Sequence, residues 1–171
     1  MKFLIIFLYL ISISLSYSIE RPDIKNIVIN KDPISYNNIT FKDIFGKDID
    51  LKNFKNNLLI LNFWATWCAP CREEMPLLDL LQSDKRLDNL KIFPINIGQE
   101  DLSKSKNFFK ELKIKNLDIY FDQTTNLANQ FSLRGVPTSI LFNKEGEEFA
   151  RILGSINFTD EKFINWLKNF N

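Results

Sequence analysis

The stretch Asn62-Phe63-Trp64-Ala65-Thr66-Trp67-Cys68-Ala69-Pro70-Cys71-Arg72-Glu73-Glu74-Met75-Pro76 contains both cysteines of the 171-residue chain. It opens inside a continuous apolar run, Leu58-Leu59-Ile60-Leu61-Asn62-Phe63-Trp64. A run without alternation is apolar on both faces, as in a strand buried at the centre of a parallel sheet. After the cysteines, Met75, Leu77, Leu78, Leu80 and Leu81 recur with helical spacing. The pair therefore falls where a buried strand gives way to a helix. A thiol at a helix N-terminus faces unpaired backbone N–H groups and the positive end of the helix dipole, which favour thiolate over thiol. Cys68 is the expected nucleophile. Cys71, one helical turn on, should lie beneath it and resolve the mixed disulfide that Cys68 forms. A static disulfide is the competing reading, but so small a loop removes little entropy from the unfolded chain. Zinc is opposed by ligand count, because the chain has no histidine and two thiolates leave the remaining positions to carboxylates or a second chain.

Outward from this centre, strands alternate with helices. Residues 39–51 read as two short alternating segments around a turn containing Gly46, a β-hairpin. Leu90 to Ile97 is a second strand, interrupted by Pro94, which must face a gap in pairing or a bulge because it has no N–H to donate. Leu102, Phe108, Phe109 and Leu112 mark a helix. Leu117 to Phe121 reads as a strand, Leu127 to Phe131 as a helix and Thr138 to Phe142 as a strand. Asn143-Lys144-Glu145-Gly146 then turns the chain into a hairpin partner at Glu147 to Leu153. A final helix begins near Thr159, a good N-cap, with Asp160 and Glu161 in its first turn and Phe163, Ile164, Trp166, Leu167 and Phe170 as its apolar stripe. This order implies an α/β sheet covered by helices on both faces.

The length suits one domain. Charges divide almost evenly, with 22 basic and 21 acidic residues, so no field of one sign is available to gather nucleic acid or an anionic membrane surface. The lack of histidine also removes imidazole bases and Ser-His-Asp triads. At the N-terminus, Lys2 precedes an apolar run from Phe3 to Leu15 and the small-residue pattern Ser14-Leu15-Ser16-Tyr17-Ser18, which together read as a secretory signal cleaved near Ser16 or Ser18. An uncleaved anchor is the rival, since Phe3 to Ile19 is only slightly short of the ~20 residues of a membrane span. Residues 1–18 are thus a signal peptide or membrane anchor. Residues 19–34, polar with Pro22 and Pro33, read as an extended lead-in or tether, and 35–171 as the folded domain.

The active-site run, together with Arg134-Gly135-Val136-Pro137-Thr138, resembles the thioredoxin superfamily and, within it, the exported TlpA-like branch of ResA-like and CcmG/DsbE-like proteins. The resemblance covers about residues 35–171. It implies a thioredoxin-like fold: a central mixed sheet with helices on both faces, an N-terminal hairpin extension and an added helical segment near 101–112. It further implies that Pro137 is cis and packed opposite the cysteines, leaving the Val136 backbone free to pair with an extended substrate. From the dipeptide alone, a trans proline opening a strand is the expectation. Trp67, Ala69 and Pro70 would complete the docking surface, with Trp64 more buried. Pro76 within a helical pattern matches the family's bent active-site helix, a later helix start being the alternative.

Where cytosolic thioredoxins carry a buried acid on the central strand, this chain has Asn62, which cannot titrate. Glu74 matches an acidic residue the branch carries beside its active site, and its spacing from Cys71 puts both on one helix face. It would help deprotonate Cys71. A solvated Glu in the charged run Arg72-Glu73-Glu74 is the other reading. The activity implied is extracytoplasmic thiol-disulfide exchange, with reduction of disulfides in exported proteins such as apocytochrome c favoured over general disulfide oxidation or isomerisation. A redox-inactive adaptor or metal chaperone is disfavoured by the missing histidine. The partners implied are an exported cysteine-containing protein and a membrane electron donor of the thiol-disulfide type. No cofactor beyond the Cys68–Cys71 pair and no metal are expected.

Overall fold

The strand Leu58–Trp64 is buried at all seven positions, and it is the axis of the fold in a computed structural model that describes residues 22–171. In chain order the elements are β1 (Ile27–Ser35), β2 (Thr40–Lys42), β3 (Asp48–Asp50), a 3-10 turn (Leu51–Phe54), β4 (Leu58–Trp64), α1 (Ala69–Gln82), β5 (Leu90–Asn96), α2 (Leu102–Glu111), β6 (Tyr120–Phe121), α3 (Asn126–Gln130), β7 (Thr138–Phe142), β8 (Glu147–Leu153) and α4 (Glu161–Leu167). The strands form one eight-stranded sheet in the order β1-β8-β7-β4-β5-β6-β2-β3. β4 runs parallel to β5 and antiparallel to β7, so the sheet is mixed. No helix among the described residues is long and apolar enough to cross a membrane.

Side chains alternate across a strand, and β4 shows what this does here. Leu58, Ile60 and Trp64 enter the core shared with α1, α2 and α4, whereas Leu59, Leu61 and Phe63 enter the core shared with α3 and the 3-10 turn. Asn62 has the parity of the first set and so points toward α1. Trp64 anchors that side, with ring centroids 4.7 Å from Phe108 and 5.5 Å from Phe109 of α2. Such aromatic pairs contribute about 0.5–1.5 kcal/mol each beyond their buried area.

Pro94 lies where the sheet can accept it. Ile97 N–H donates to Trp64 O on the β4 side, while Asn96 O accepts from Asp122 N on the other. Alternation gives Pro94 the parity of Asn96, facing the side where β6 pairs only with Ile95 and Asn96. The missing N–H therefore falls in a gap. The β7–β8 hairpin turns as its sequence suggests: Gly146 takes φ 83° and donates to Asn143 O, and Asn143 Oδ1 accepts from the Glu145 and Glu147 amides.

The structure departs from the sequence reading at four places. The segment read as a lead-in up to residue 34 is strand β1 from Ile27, paired antiparallel with β8, so the sheet starts before residue 35. As a largely exposed edge strand it lacks a clear apolar alternation, and Pro33 lies in the interval where its register shifts. The residues 1–18 assigned to a signal or anchor lie outside the described residues. The strand expected over 117–121 shortens to Tyr120–Phe121, because the Asp79 carboxylate takes the amides of Lys115, Asn116 and Leu117 at 3.1, 2.6 and 3.1 Å. The cap of α4 is Asp160, which accepts from Lys162 N, while the Thr159 hydroxyl donates to Asn157. Finally, the first helix begins at Ala69, ahead of Cys71 rather than directly after the cysteines, while its continuation through Pro76 is as the sequence reading expected.

Candidate active site

β4 ends at Trp64 and α1 begins at Ala69; the short turn between them ends in Cys68, and Cys71 lies in the first turn of α1. Cys68 N donates to Ala65 O at 3.2 Å, which closes the turn, and Cys68 itself is the N-cap of α1. Its sulfur accepts from Cys71 N at 3.2 Å. A sulfur aimed at free N–H groups at the positive end of a helix is the arrangement that favours a thiolate after reduction. Here the two cysteines are joined as a disulfide, S–S 2.06 Å. Cys68 is 5 % exposed and Cys71 0 %, so both are buried and only Cys68 keeps any surface. Its chain neighbours lie at the surface: Trp67 is 69 % exposed, and Ala69 and Pro70 are also exposed. Trp64, by contrast, is fully buried.

The Val136–Pro137 peptide is cis, and Pro137 is buried at the start of β7. Val136 is half-buried and packs against both cores. Val136 and Pro137 also line one wall of a groove of about 360 Å³ whose other walls include Val28, Leu133 and Leu153.

One helical turn after Cys71 is the residue on which the sequence left two readings open. Glu74 is 1 % exposed, so the solvated-surface reading is wrong. Its position one turn after Cys71 puts it on the buried face of α1, against the sheet. There Oε1 accepts from Asn62 Nδ2 at 2.8 Å, and Asn62 donates again to Ser139 Oγ at 3.0 Å. Burial lifts the Glu74 carboxyl from its ordinary 4.5 to about 7, against opposing pulls from the Asn62 amide and the Ser155 side chain. The site thus has its acid on the helix rather than on the strand. Arg72, the charge nearest in sequence to Cys71, is turned away: it pairs with Glu111 and lies 5.4 Å over the Phe108 ring, tying α1 to α2.

Sequence reasoning missed a second carboxylate. Glu100, in the loop between β5 and α2, accepts from Thr66 N at 3.1 Å, from the Thr66 hydroxyl and from Asn96 Nδ2 at 3.2 Å. It clamps the turn that carries Trp67 and Cys68. Gly98 makes room for it, since a Cβ there would meet Glu100 Cδ and Oε2 at 3.0 Å and Ala65 Cβ at 3.2 Å. Ser139 was missed for the same reason. Neither residue belongs to a local motif, and both are recruited by the fold. Among the described residues no group of three or more Cys, Asp or Glu is assembled that could hold a metal ion.

A strand-to-helix cysteine pair after β4, with a cis proline leading into the adjacent strand β7 at the same end of a mixed sheet, defines a thioredoxin-like redox protein. The chain belongs to the AhpC/TSA family, whose profile matches residues 35–147, and it is a thiol-disulfide oxidoreductase. Among its relatives, the thiol-disulfide oxidoreductase ResA of Bacillus thuringiensis subsp. konkukian is 32% identical over 131 residues, 77% of this chain and 73% of that one. Of solved structures, StoA from Bacillus subtilis superposes with a TM-score of 0.64 at 27% identity, covering 78% of this chain and 98% of StoA. A putative thiol:disulfide interchange protein DsbE from Chlorobium tepidum shares the fold, with a TM-score of 0.69 at 18% identity over 82% of this chain and 96% of that one.

Proposed function

We propose that this protein is an extracytoplasmic reductant of disulfides in exported proteins such as apocytochrome c, with Cys68 attacking, Cys71 resolving and Glu74 managing the proton of Cys71. The observation that carries the reading is the layout of the helix start: Cys68 at the N-cap with Trp67, Ala69 and Pro70 exposed on either side of it in the chain, and Cys71 and Glu74 one turn apart on the buried face of α1. The relatives named ResA and the apolar leader at Phe3 to Leu15 support it.

In the reduced protein, the Cys68 thiolate attacks one sulfur of a substrate disulfide, the S–S bond breaks and the first substrate thiolate leaves. Cys71 then loses its proton to the Glu74 carboxylate; the S–H bond breaks as an O–H bond forms. The new thiolate attacks Cys68, expels the second substrate thiolate and regenerates the Cys68–Cys71 disulfide. Two electrons have passed to the substrate, and Glu74 returns its proton to the departing thiolate or to water. A carboxyl near 7 suits both halves of that exchange at neutral pH. Substrate docks as an extended segment over Trp67, Ala69, Pro70 and the Val136–Pro137 edge, where the Val136 backbone pairs with it. A membrane thiol-disulfide donor restores the dithiol. No cofactor beyond the cysteine pair takes part.

Trapping tests the reading. Cys71→Ser should accumulate a mixed disulfide between Cys68 and exported partners, dissolved by dithiothreitol and absent in Cys68→Ser. The direction of flow is read from the reduction potential: a value near about −270 mV supports a reductant, and one near about −120 mV, typical of a strong oxidant, overturns it in favour of an oxidase.

A further inference from the structure

Asn62 and Ser139 are cross-strand partners in the β4–β7 register, 0 % and 1 % exposed. Strand alternation turns both toward α1: Asn62 shares the parity of Ile60 and Trp64, and Ser139 that of Leu141. The two hydrogens of Asn62 Nδ2 are both committed, one to Glu74 Oε1 at 2.8 Å and one to Ser139 Oγ at 3.0 Å. These two bonds set the plane of the amide. Among the described residues, Asn62 Oδ1 and Glu74 Oε2 are buried oxygens that no hydrogen bond of ordinary length reaches, which native cores rarely tolerate, although the Ser155 side chain is near enough to pull the Glu74 carboxyl down.

An asparagine here can serve both charge states of the carboxyl. A carboxylate only accepts, and Nδ2 donates to it. A protonated carboxyl also donates, and a half-turn of the amide about its last torsion presents Oδ1 to that O–H and to the Ser139 hydroxyl, which can donate as well as accept. An aspartate could satisfy only the protonated acid. A leucine could satisfy neither.

We propose that Asn62, pinned by Ser139, is the positioning residue for Glu74: it holds the carboxyl toward the Cys71 side of the core and turns its amide between donor and acceptor as the carboxyl releases and gains a proton. The proposal rests on the reading of Glu74 as the base for Cys71. The amide contributes no proton or electron of its own. The side chains that act on the carboxyl are Asn62 on the sheet, itself bonded to Ser139, and Ser155 after β8; Cys71 lies one turn earlier on the same helix, and no charged side chain is among the influences that shift it.

The test uses the whole oxidised chain, with the Glu74 carboxyl carbon followed by 13C NMR through a pH titration, and the reduced chain, with insulin reduction followed against pH. A hydrogen bond to the ionised form lowers a carboxyl pKa. Asn62→Leu should therefore raise the Glu74 midpoint by about one pH unit, a tenfold change in its acid constant. The acidic limb of the rate profile should move up with it. Ser139→Ala should move both in the same direction by less, and Asn62→Asp by more, because an ionised aspartate both accepts from the protonated carboxyl and repels the ionised one, whereas leucine only removes the donor. When Glu74→Gln is already present, adding Asn62→Leu should change the rate no further. An unmoved midpoint in Asn62→Leu overturns the proposal. So does a loss of rate on adding Asn62→Leu that is the same with and without Glu74→Gln, which would mark Asn62 as structural. If the leucine variant does not fold, Asn62→Ser makes the same comparison. A flat response to Glu74→Gln alone overturns the base assignment instead, and the two failures are separable because the midpoint is read on the carboxyl itself.

Discussion

Glu74→Gln should make the oxidised protein more stable at alkaline pH while making the reduced protein a slower catalyst. The carboxyl is lifted from 4.5 to about 7 by burial, so between those values the folded state holds a proton that the unfolded chain has released. Linkage then requires stability to be highest below 4.5, to fall as the pH rises toward 7, and to level off above it. At about 1.4 kcal/mol per pH unit, the ionised carboxylate destabilises the fold by about 3 kcal/mol. Glutamine keeps an acceptor for Asn62 Nδ2 and carries no charge, so this penalty disappears. For a chain of this length, about 3 kcal/mol corresponds to roughly 6–12 °C in Tm. Thermal unfolding by circular dichroism, on oxidised wild type and variant at about pH 4 and about pH 8, should show near-equal Tm values at the acid pH and a higher Tm for the variant at the alkaline one. A Tm difference independent of pH, or a variant less stable at alkaline pH, would refute the account of Glu74 as a carboxyl forced to ionise in an apolar setting. Insulin reduction should slow by about a hundredfold or more, the scale of a lost general base.

Three further outcomes follow from contacts outside the buried acid. Gly98→Ala should push Glu100 off Thr66 at a cost of about 1–3 kcal/mol, the scale of overpacking, and hydrogen exchange at the Thr66 amide should accelerate. Trp67→Ala should leave unfolding unchanged, because the ring is 69 % exposed, yet lower kcat/KM for a protein disulfide while sparing a small-molecule disulfide. Arg151→Ala should destabilise by about 3 kcal/mol, because it strips the partner from the fully buried Glu148. Burial pushes the Glu148 carboxyl up, but Arg151, Tyr36 and Asn30 together outweigh it and hold the group below its ordinary value. The stability it contributes is therefore present above the unfolded carboxyl pKa and lost on acidification, so the variant's deficit should shrink in urea titrations at low pH.

The central strand, the helix after the cysteines, the β7–β8 hairpin and the redox pair were legible from residue order, because each is specified locally. Seven consecutive largely apolar residues can only be buried, and Asn143 to Gly146 carries its own turn chemistry. The elements misread were those decided by distant partners. β1 is a strand because β8 offers it an open edge, and the expected strand does not start at 117 because Asp79 has taken the amides of Lys115, Asn116 and Leu117. Glu74 showed the same division: its helix spacing from Cys71 was visible, but its neighbours Arg72 and Glu73 kept a solvated face open as the other reading.

Local sequence therefore settled that two sulfurs meet at the start of a helix, since strand, turn and helix are adjacent in the chain. Only the folded sheet decided which way the helix faces. Rotating α1 so that Cys71 and Glu74 lie beneath it placed a carboxyl against Asn62 and Ser139, the latter 77 residues further along the chain from Asn62. It likewise brought Glu100 onto the turn before Cys68. Burial and the pairing of distant strands set the proton affinity and geometry of such groups, and neither is encoded in the spacing of neighbours.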